Sequence, residues 1–240
     1  ELKLINRNDK GRHYDFFRDR VMFPIHDRRG RVVGFGGRII EGDGPKYLNS
    51  PETRLFHKGS ELYGYWHMQQ AVRRPDQVVV VEGYMDVIAL AQFGINNAVA
   101  TLGTATTSEH LRQLIRSAPE IIFCFDGDAA GKAAAWKALN NCLSEIRDKI
   151  TISFSFISDA KDPDQLCNDE PDVFKKLINN SIALSEFMFQ QLNIGLDLSK
   201  VKGSKANEEQ NLVDDENKRN TKFQKKKKKP SVTDIEKSLR

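Results

Sequence analysis

The 240-residue sequence predicts an α/β fold: a parallel-sheet domain, preceded by a smaller β-rich (α+β) subdomain and followed by helices and a disordered tail. Three observations carry this prediction. Beyond residue 77, apolar runs alternate with helical patterns through VVVVE, YMDVIALAQFG, NAVAT, SEHLRQLIRSA, EIIFCF, AAGKAAAWKALNNCL and KITISFSFI. Before residue 60, extended runs around 21–25 and 31–40 flank HDRRG, a hairpin turn signal. From Ser199 the chain turns polar, with few large apolar residues and five successive lysines at 225–229. The expected organisation is a basic N-terminal subdomain over 1–70, the parallel-sheet domain over 71–165, a helical segment over 166–198 and the lysine-rich tail over 199–240.

Each element has its own warrant. Four successive valines, Val78 to Val81, do not alternate with polar residues, so their strand must be covered on both faces. YMDVIALAQFG has helical spacing and stops at Gly94. Thr107 or Ser108 caps the helix of SEHLRQLIRSA, and Pro119 follows its end. Strands separated by single helices pair in parallel through right-handed crossovers. PDVFKKLINN and SIALSEFMFQQLN read as two further helices.

The net charge of +4 conceals three zones. Residues 1–60 hold 13 Lys/Arg against 8 Asp/Glu, residues 61–198 hold 11 against 18, and the remainder 13 against 7. An acidic middle between basic flanks binds a polyanion only with a cation between them, and a divalent metal is the obvious one. The lysine run reads as a solvated tail before it reads as a nucleic-acid contact. No stretch approaches the ~20 successive apolar residues of a membrane span. The opening ELKLINRNDKGRHYDFF lacks the pattern of a signal peptide, and its start without Met reads as a fragment or a processed product. Cys124, Cys142 and Cys167 are widely spaced and form no CxxC pair, which argues against a zinc ribbon or a disulfide framework. They are expected to be small buried hydrophobes in a reducing, cytoplasmic protein.

Ligands of open parallel sheets sit outside the carboxyl ends of the strands. Glu82 closes one predicted strand, and Asp126 and Asp128 close another around Gly127. Asp86 lies one helical turn beyond Glu82, and Asp162 and Asp164 follow the strand TISFSFI. Taken singly, DG is a common turn dipeptide and Asp162 or Asp164 could cap a helix. Their coincidence at successive strand ends favours a site for hard divalent cations, in which Mg²⁺ is shared between carboxylates and substrate phosphates. On the basic side, Arg18, Arg20, Arg38, Lys46 and Lys58 lie near the Gly-rich segments GFGGR and GPKYLNS, which suit close approach of phosphates. The bland alternatives are surface pairing of Arg18 and Arg20 with Asp15 and Asp19, and a strand bulge at GFGG.

EGYMDVIAL, TLGTATT, FDGDAAGKAAAWKAL and DPD resemble the Toprim domain of bacterial DnaG-type DNA primases. RVMFPIHDRRGRVVGFGGR, PKYLNSPET and FHKGSELYG resemble the RNA-polymerase core of the same family, and the likeness spans about residues 12–198. The resemblance implies a Toprim-type fold and template-directed synthesis of short RNA primers on single-stranded DNA from ribonucleoside triphosphates. By motif, Glu82 would be the essential acidic residue and Asp126 and Asp128 metal ligands. Asp162 and Asp164 would join the cluster, and Asp86 would assist it. Two or more Mg²⁺ or Mn²⁺ ions are implied, and Glu82 is open to two roles, ligand or base. Arg38, Lys46 and Lys58 would meet nucleotide or template phosphates, with Arg18 and Arg20 as further candidates.

Family members also carry an N-terminal zinc-binding domain and a C-terminal domain that binds the replicative helicase. No Cys/His cluster for zinc stands in this sequence, and the lysine-rich tail occupies the place of the second. The competing readings are a Toprim nuclease or topoisomerase fragment, and a degenerate core that binds single-stranded DNA without synthesis. A topoisomerase needs a tyrosine nucleophile on a separate domain, and no such additional domain is expected from these 240 residues.

Overall fold

The HDRRG turn forms as its residues require. In the computed structural model, which describes residues 4–157, 166–167 and 171–194, Asp27 Oδ1 accepts from the amides of Arg29 and Arg31, at 2.9 and 3.0 Å. Gly30 takes the left-handed conformation, φ +79°, that returns the chain. Asp162, Asp164 and the tail over 199–240 lie outside the described residues.

A small ribbon, β1 (Ile5–Arg7) and β2 (His13–Asp15), precedes a three-stranded antiparallel sheet. There β4 (Val32–Ile39) lies between β3 (Arg20–His26) and β5 (Tyr47–Asn49). The GFGG glycines lie within β4, and their missing side chains leave room for aromatic rings. A Cβ at Gly36 would meet the Tyr84 ring at 2.9 Å, and one at Gly37 the Phe17 ring at 2.8 Å. Two of these glycines thus make room for ring packing, and the register shift opposite Ile25 and His26 sets a strand irregularity beside Gly34.

After α1 (Tyr65–Ala71), the second sheet holds β6 (Gln77–Val81), β7 (Ala98–Ala100), β8 (Glu120–Asp126) and β9 (Thr151–Ile157), all parallel. Its connecting helices are α2 (Tyr84–Gln92), α3 (Ser108–Ile115) and α4 (Ala129–Leu143). Then come α5 (Pro171–Asn179), β10 (Ile182–Ala183) and α6 (Leu184–Ile194). The strand order is β10-β9-β8-β6-β7, with β10 antiparallel to β9. SIALSEFMFQQLN therefore opens as an edge strand and becomes helical only at Leu184. Ile182 pairs opposite Phe154, and backbone pairing at the open sheet edge overrides helical spacing.

The valines answer to two cores. Val79 and Val81 pack with Ile122, Cys124 and Ile157 on one face, beneath Leu90 of α2 and Phe174 of α5. Val78 and Val80 pack with Ile121, Phe123 and Phe154 on the other, with Leu111, Leu114 and Leu139 of α3 and α4. Burial is worth about 1.5–3 kcal/mol for each such side chain, so β6 is a rigid mount for whatever follows it. All three cysteines are buried, and Cys124 and Cys142 are free thiols. Burial pushes the Cys124 and Cys142 thiols up to about 12, which keeps them protonated and inert. Among the described residues no helix is long and apolar enough to cross a membrane.

His110 fastens α3 to the segment before α1. It is fully buried, and its Nε2 reaches the carbonyl oxygens of Lys58 and Glu61 at 3.0 and 3.2 Å. Nε2 therefore carries the proton, and Nδ1 accepts from the Thr107 amide at 3.2 Å. Burial holds its pKa below the ordinary 6.5, against the opposing pull of the two carbonyls. The folded state thus favours the neutral ring, so stability is complete above 6.5 and falls as acid protonates the unfolded chain's histidine first. His110→Ala is expected to cost about 2–4 kcal/mol in urea unfolding at pH 7.5. The variant should also lose less further stability between pH 6.5 and 5 than the wild type.

Candidate active site

Neighbouring strands β6 and β8 end at one edge, and Glu82 and Asp126 stand there. Glu82 Oε1 accepts the Asp126 amide at 3.0 Å, which folds the glutamate across the end of β8. Desolvation raises the Glu82 pKa above the ordinary carboxylate value; the charges of Asp126 and Asp128 push the same way, and the Asp126 amide opposes them. Asp128 caps α4, its Oδ1 accepting the Gly131 amide at 2.7 Å. Asp86 Oδ2 accepts the Gly83 amide at 3.0 Å and fixes the corner that follows Glu82. Two of the expected acidic residues thus spend an oxygen on the first turns of α2 and α4.

The acidic side chains described at this edge offer carboxylate oxygens, which suit Mg²⁺ or Mn²⁺. Mutual repulsion at Glu82 is the penalty that such an ion would relieve. Among the described residues no three His, Cys, Asp or Glu side chains gather closely enough to hold an ion unaided.

Beside Glu82 opens a cavity of about 330 Å³, lined by Thr101, Gly103, Thr104, Thr106 and Lys137 among others. Its wall, the TLGTATT loop, is pinned at both ends. Asn49 Nδ2 of β5 donates to the Leu102 carbonyl at 3.0 Å, and Asn141 Nδ2 of α4 donates to the Thr106 carbonyl at 2.6 Å. Just beyond, Thr107 Oγ1 donates to the Gly59 carbonyl at 2.6 Å.

The basic candidates separate into groups. Arg38 and Lys46 lie over the Tyr47 ring, at 6.0 and 5.6 Å from its centroid. Tyr47 meets Tyr84 edge-on at 5.3 Å, and Arg20 donates to the Gly37 carbonyl at 3.2 Å within the same neighbourhood. Tyr84, the tyrosine of EGYMD, thereby links the basic sheet to the corner that bears Glu82. Burial drives its pKa to about 12; Tyr47 adds to the rise, and Arg20 and Arg38 resist it. Arg18 stands apart, 5.0 Å over the Tyr14 ring. Lys58 is placed through its backbone, its amide donating to Glu52 Oε1 at 2.9 Å and its carbonyl facing His110. Among the described residues neither Arg18 nor Arg20 forms a salt bridge with Asp15 or Asp19. Tyr84, Asn49, Asn141 and Lys137 carried no role in the sequence analysis; the motifs contain all but Asn141, and the folded chain shows what each lies against.

An acidic strand edge of this fold, facing a basic antiparallel sheet, has known counterparts. Residues 1–69 match the family model for the DNA primase catalytic core, N-terminal domain, and residues 76–154 that for the Toprim domain. The DNA primase of Pseudomonas aeruginosa is 52% identical over 202 residues, 83% of this chain and 30% of its own length. That of Escherichia coli K12 is 52% identical over 197 residues, 82% of this chain and 34% of its own. The solved structure of the E. coli primase catalytic core matches with a TM-score of 0.80 at 51% identity, over 82% of this chain and 64% of that one. A DnaG primase catalytic domain bound to single-stranded DNA matches equally, with a TM-score of 0.80 at 51% identity over the same shares. The chain belongs to the bacterial DnaG-type DNA primase family, in the catalytic core that joins a Toprim domain to an RNA-polymerase subdomain. It spans about a third of the length of the curated relatives it matches.

Proposed function

We propose that this chain is the catalytic core of a primase, a nucleotidyltransferase that synthesises short RNA primers from ribonucleoside triphosphates on single-stranded DNA during replication. The observation that carries the reading is Glu82 folded onto the end of β8, where its carboxylate feels the charges of Asp126 and Asp128, next to the Tyr84 ring that feels Arg20 and Arg38. The relative with bound single-stranded DNA supports the choice of template.

Glu82, Asp126 and Asp128 would hold Mg²⁺ or Mn²⁺, joined by Asp162 and Asp164, with Asp86 holding the Gly83 corner in place. When bound, two or more such ions lower the pKa of the primer 3′-hydroxyl and offset charge at the α-phosphate. Arg38 and Lys46, spread across the Tyr47 ring, bind and orient phosphates of nucleotide or template. Arg20 and Lys58 extend that basic surface, with Arg18 at its margin. The product is an RNA–DNA hybrid, the setting a bacterial cytoplasm, and the replicative helicase a partner of the whole protein.

The test is direct. Purified chain, single-stranded DNA, labelled ribonucleotides and Mg²⁺ or Mn²⁺ should yield short RNA, and Asp126→Ala should lose it while still binding DNA. DNA binding without RNA from the wild-type chain would favour the competing reading, a degenerate core that only binds the strand.

A further inference from the structure

His26, the last residue of β3, and His67, in the first turn of α1, are far apart in sequence. In the fold their rings meet edge-on, with 5.0 Å between centres and 89° between planes. Trp66 completes the cluster, stacked on His26 at 5.4 Å and edge-on to His67 at 4.8 Å. Gly30 of the HDRRG turn lies so close to the indole that a Cβ there would meet it at 2.6 Å. The indole is therefore wedged in place, and it fixes the plane of the His26 ring stacked on it. Among the described residues the hydrogen-bonded histidine rings are those of His57 and His110. No salt bridge among those residues reaches His26 or His67. Asp27, the neighbouring carboxylate, spends both oxygens on the Arg29 and Arg31 amides and the Arg31 guanidinium. His26 is partly buried and His67 is exposed, so the pair is open to solvent.

We propose that His26 and His67 together bind one late first-row divalent cation, of the class of Zn²⁺ and Cu²⁺, with water completing its coordination. Imidazole nitrogen suits these ions, whereas Mg²⁺ takes oxygen. At a Zn–N distance of ~2.0–2.1 Å each ring centre stands about 3.2 Å from the ion, and a tetrahedral angle sets the two centres about 5.2 Å apart. The observed 5.0 Å matches that bite, so a turn of the rings brings both lone pairs to one ion with neither element moving. Plain aromatic contact has the same spacing, but it gives no use to ring nitrogens that hydrogen-bond to nothing else described. No third His, Cys, Asp or Glu joins the pair among the described residues, so the site is open and of modest affinity, unlike a closed structural zinc site. Tyr65 and Met68 of α1 pack into the core of the parallel-sheet domain, while His26 ends a strand of the antiparallel sheet. The ion staples the two together. Neither histidine lines the cavity beside Glu82, and the site stands independently of the polymerase reading.

Calorimetric titration of Zn²⁺ into the untagged full chain at pH 7.5 tests this, with excess Mg²⁺ present to occupy the carboxylate edge. The wild type should bind one Zn²⁺ that Mg²⁺ does not displace. His26→Gln and His67→Gln should each weaken it by at least about 10- to 100-fold. The double variant should be hardly weaker than either single one, because the chelate is already lost when one ring is gone. Zn²⁺ should raise the melting temperature of the wild type and of neither variant. Cu²⁺ should bind more tightly than Zn²⁺ and quench Trp66, read in a Trp136→Phe background. Zn²⁺ bound equally by the wild type and the double variant, losses that add in the double variant, or displacement by Mg²⁺ would each overturn the proposal. So would variants that melt lower without metal yet bind Zn²⁺ as the wild type does, which would leave the cluster as ring packing alone. The Cu²⁺ measurement needs neither histidine variant to fold, and an unquenched Trp66 is by itself enough to reject the site.

Discussion

Glu82→Gln should lower RNA synthesis by about 10³-fold while the protein remains folded, because a charge at the strand edge is lost and almost nothing else. The glutamine oxygen can still accept the Asp126 amide, so the link that folds residue 82 over β8 persists. What disappears is a carboxylate whose pKa desolvation and its two acidic neighbours raise. A raised carboxylate favours the folded state when protonated. Its contribution is complete below the ordinary 4.5 and is lost as pH rises through the folded value. At neutral pH and without divalent metal, ionised Glu82 is therefore a small burden, and Glu82→Gln should melt slightly higher than the wild type. The difference should close as the pH is brought toward 4.5. Excess Mg²⁺ should stabilise the wild type more than the variant. A variant that synthesises normally would remove Glu82 from the chemistry, and one that melts lower without metal would overturn the electrostatic account.

Gly131→Ala should damage both structure and activity, although alanine is the better helix former. A Cβ at this position would drive into the Asp126 carbonyl, with the Asp126 carbonyl carbon only 2.9 Å away. Both obstacles are backbone, so no rotamer change relieves them, and α4 must back away from β8. The movement breaks the Asp128 cap on the Gly131 amide and shifts Asp126 and Asp128 relative to Glu82. Overpacking of this kind costs about 2–4 kcal/mol. A displacement near 1 Å at a reacting centre costs about 100-fold in rate. Thermal denaturation and primer synthesis check both, with Ala130→Ser on the exposed side of the same turn as a control that should change neither. Wild-type stability in Gly131→Ala would show that the strand–helix junction yields more easily than its packing implies.

The legible part of this protein was whatever its side-chain periodicity encodes. Val78 to Val81 announced a strand buried on both faces, and AAGKAAAWKALNNCL matched α4 from first residue to last. Thr107 was legible as a cap because its hydroxyl accepts the His110 amide at 3.1 Å, the contact that its residue type favours. The strands β1, β2, β5 and β10 were not legible: two or three residues hold no period, and none of them falls in the strand–helix alternation that revealed the equally short β7. The acidic edge could be foreseen, since strand ends locate it in one dimension. Lys137 could not, because it reaches the Glu82 cavity only through the packing of α4 over a loop thirty-odd residues earlier in the chain. The glycines of GFGG show a related limit. A sequence shows that a side chain is missing and leaves out what enters the gap, which here is Tyr84 and Phe17.

Ile25, Val33 and Phe56 of the N-terminal segment share one core with Val79, Val81 and Leu90 of the parallel-sheet domain. The seam between the two matched families, after residue 69 and before residue 76, is thus a seam of ancestry and not of folding. Either half made alone would present its share of that core to water. Recombination that exchanges one half between relatives must carry matching surfaces for these six side chains, or the hybrid inherits both motifs and neither is held in place.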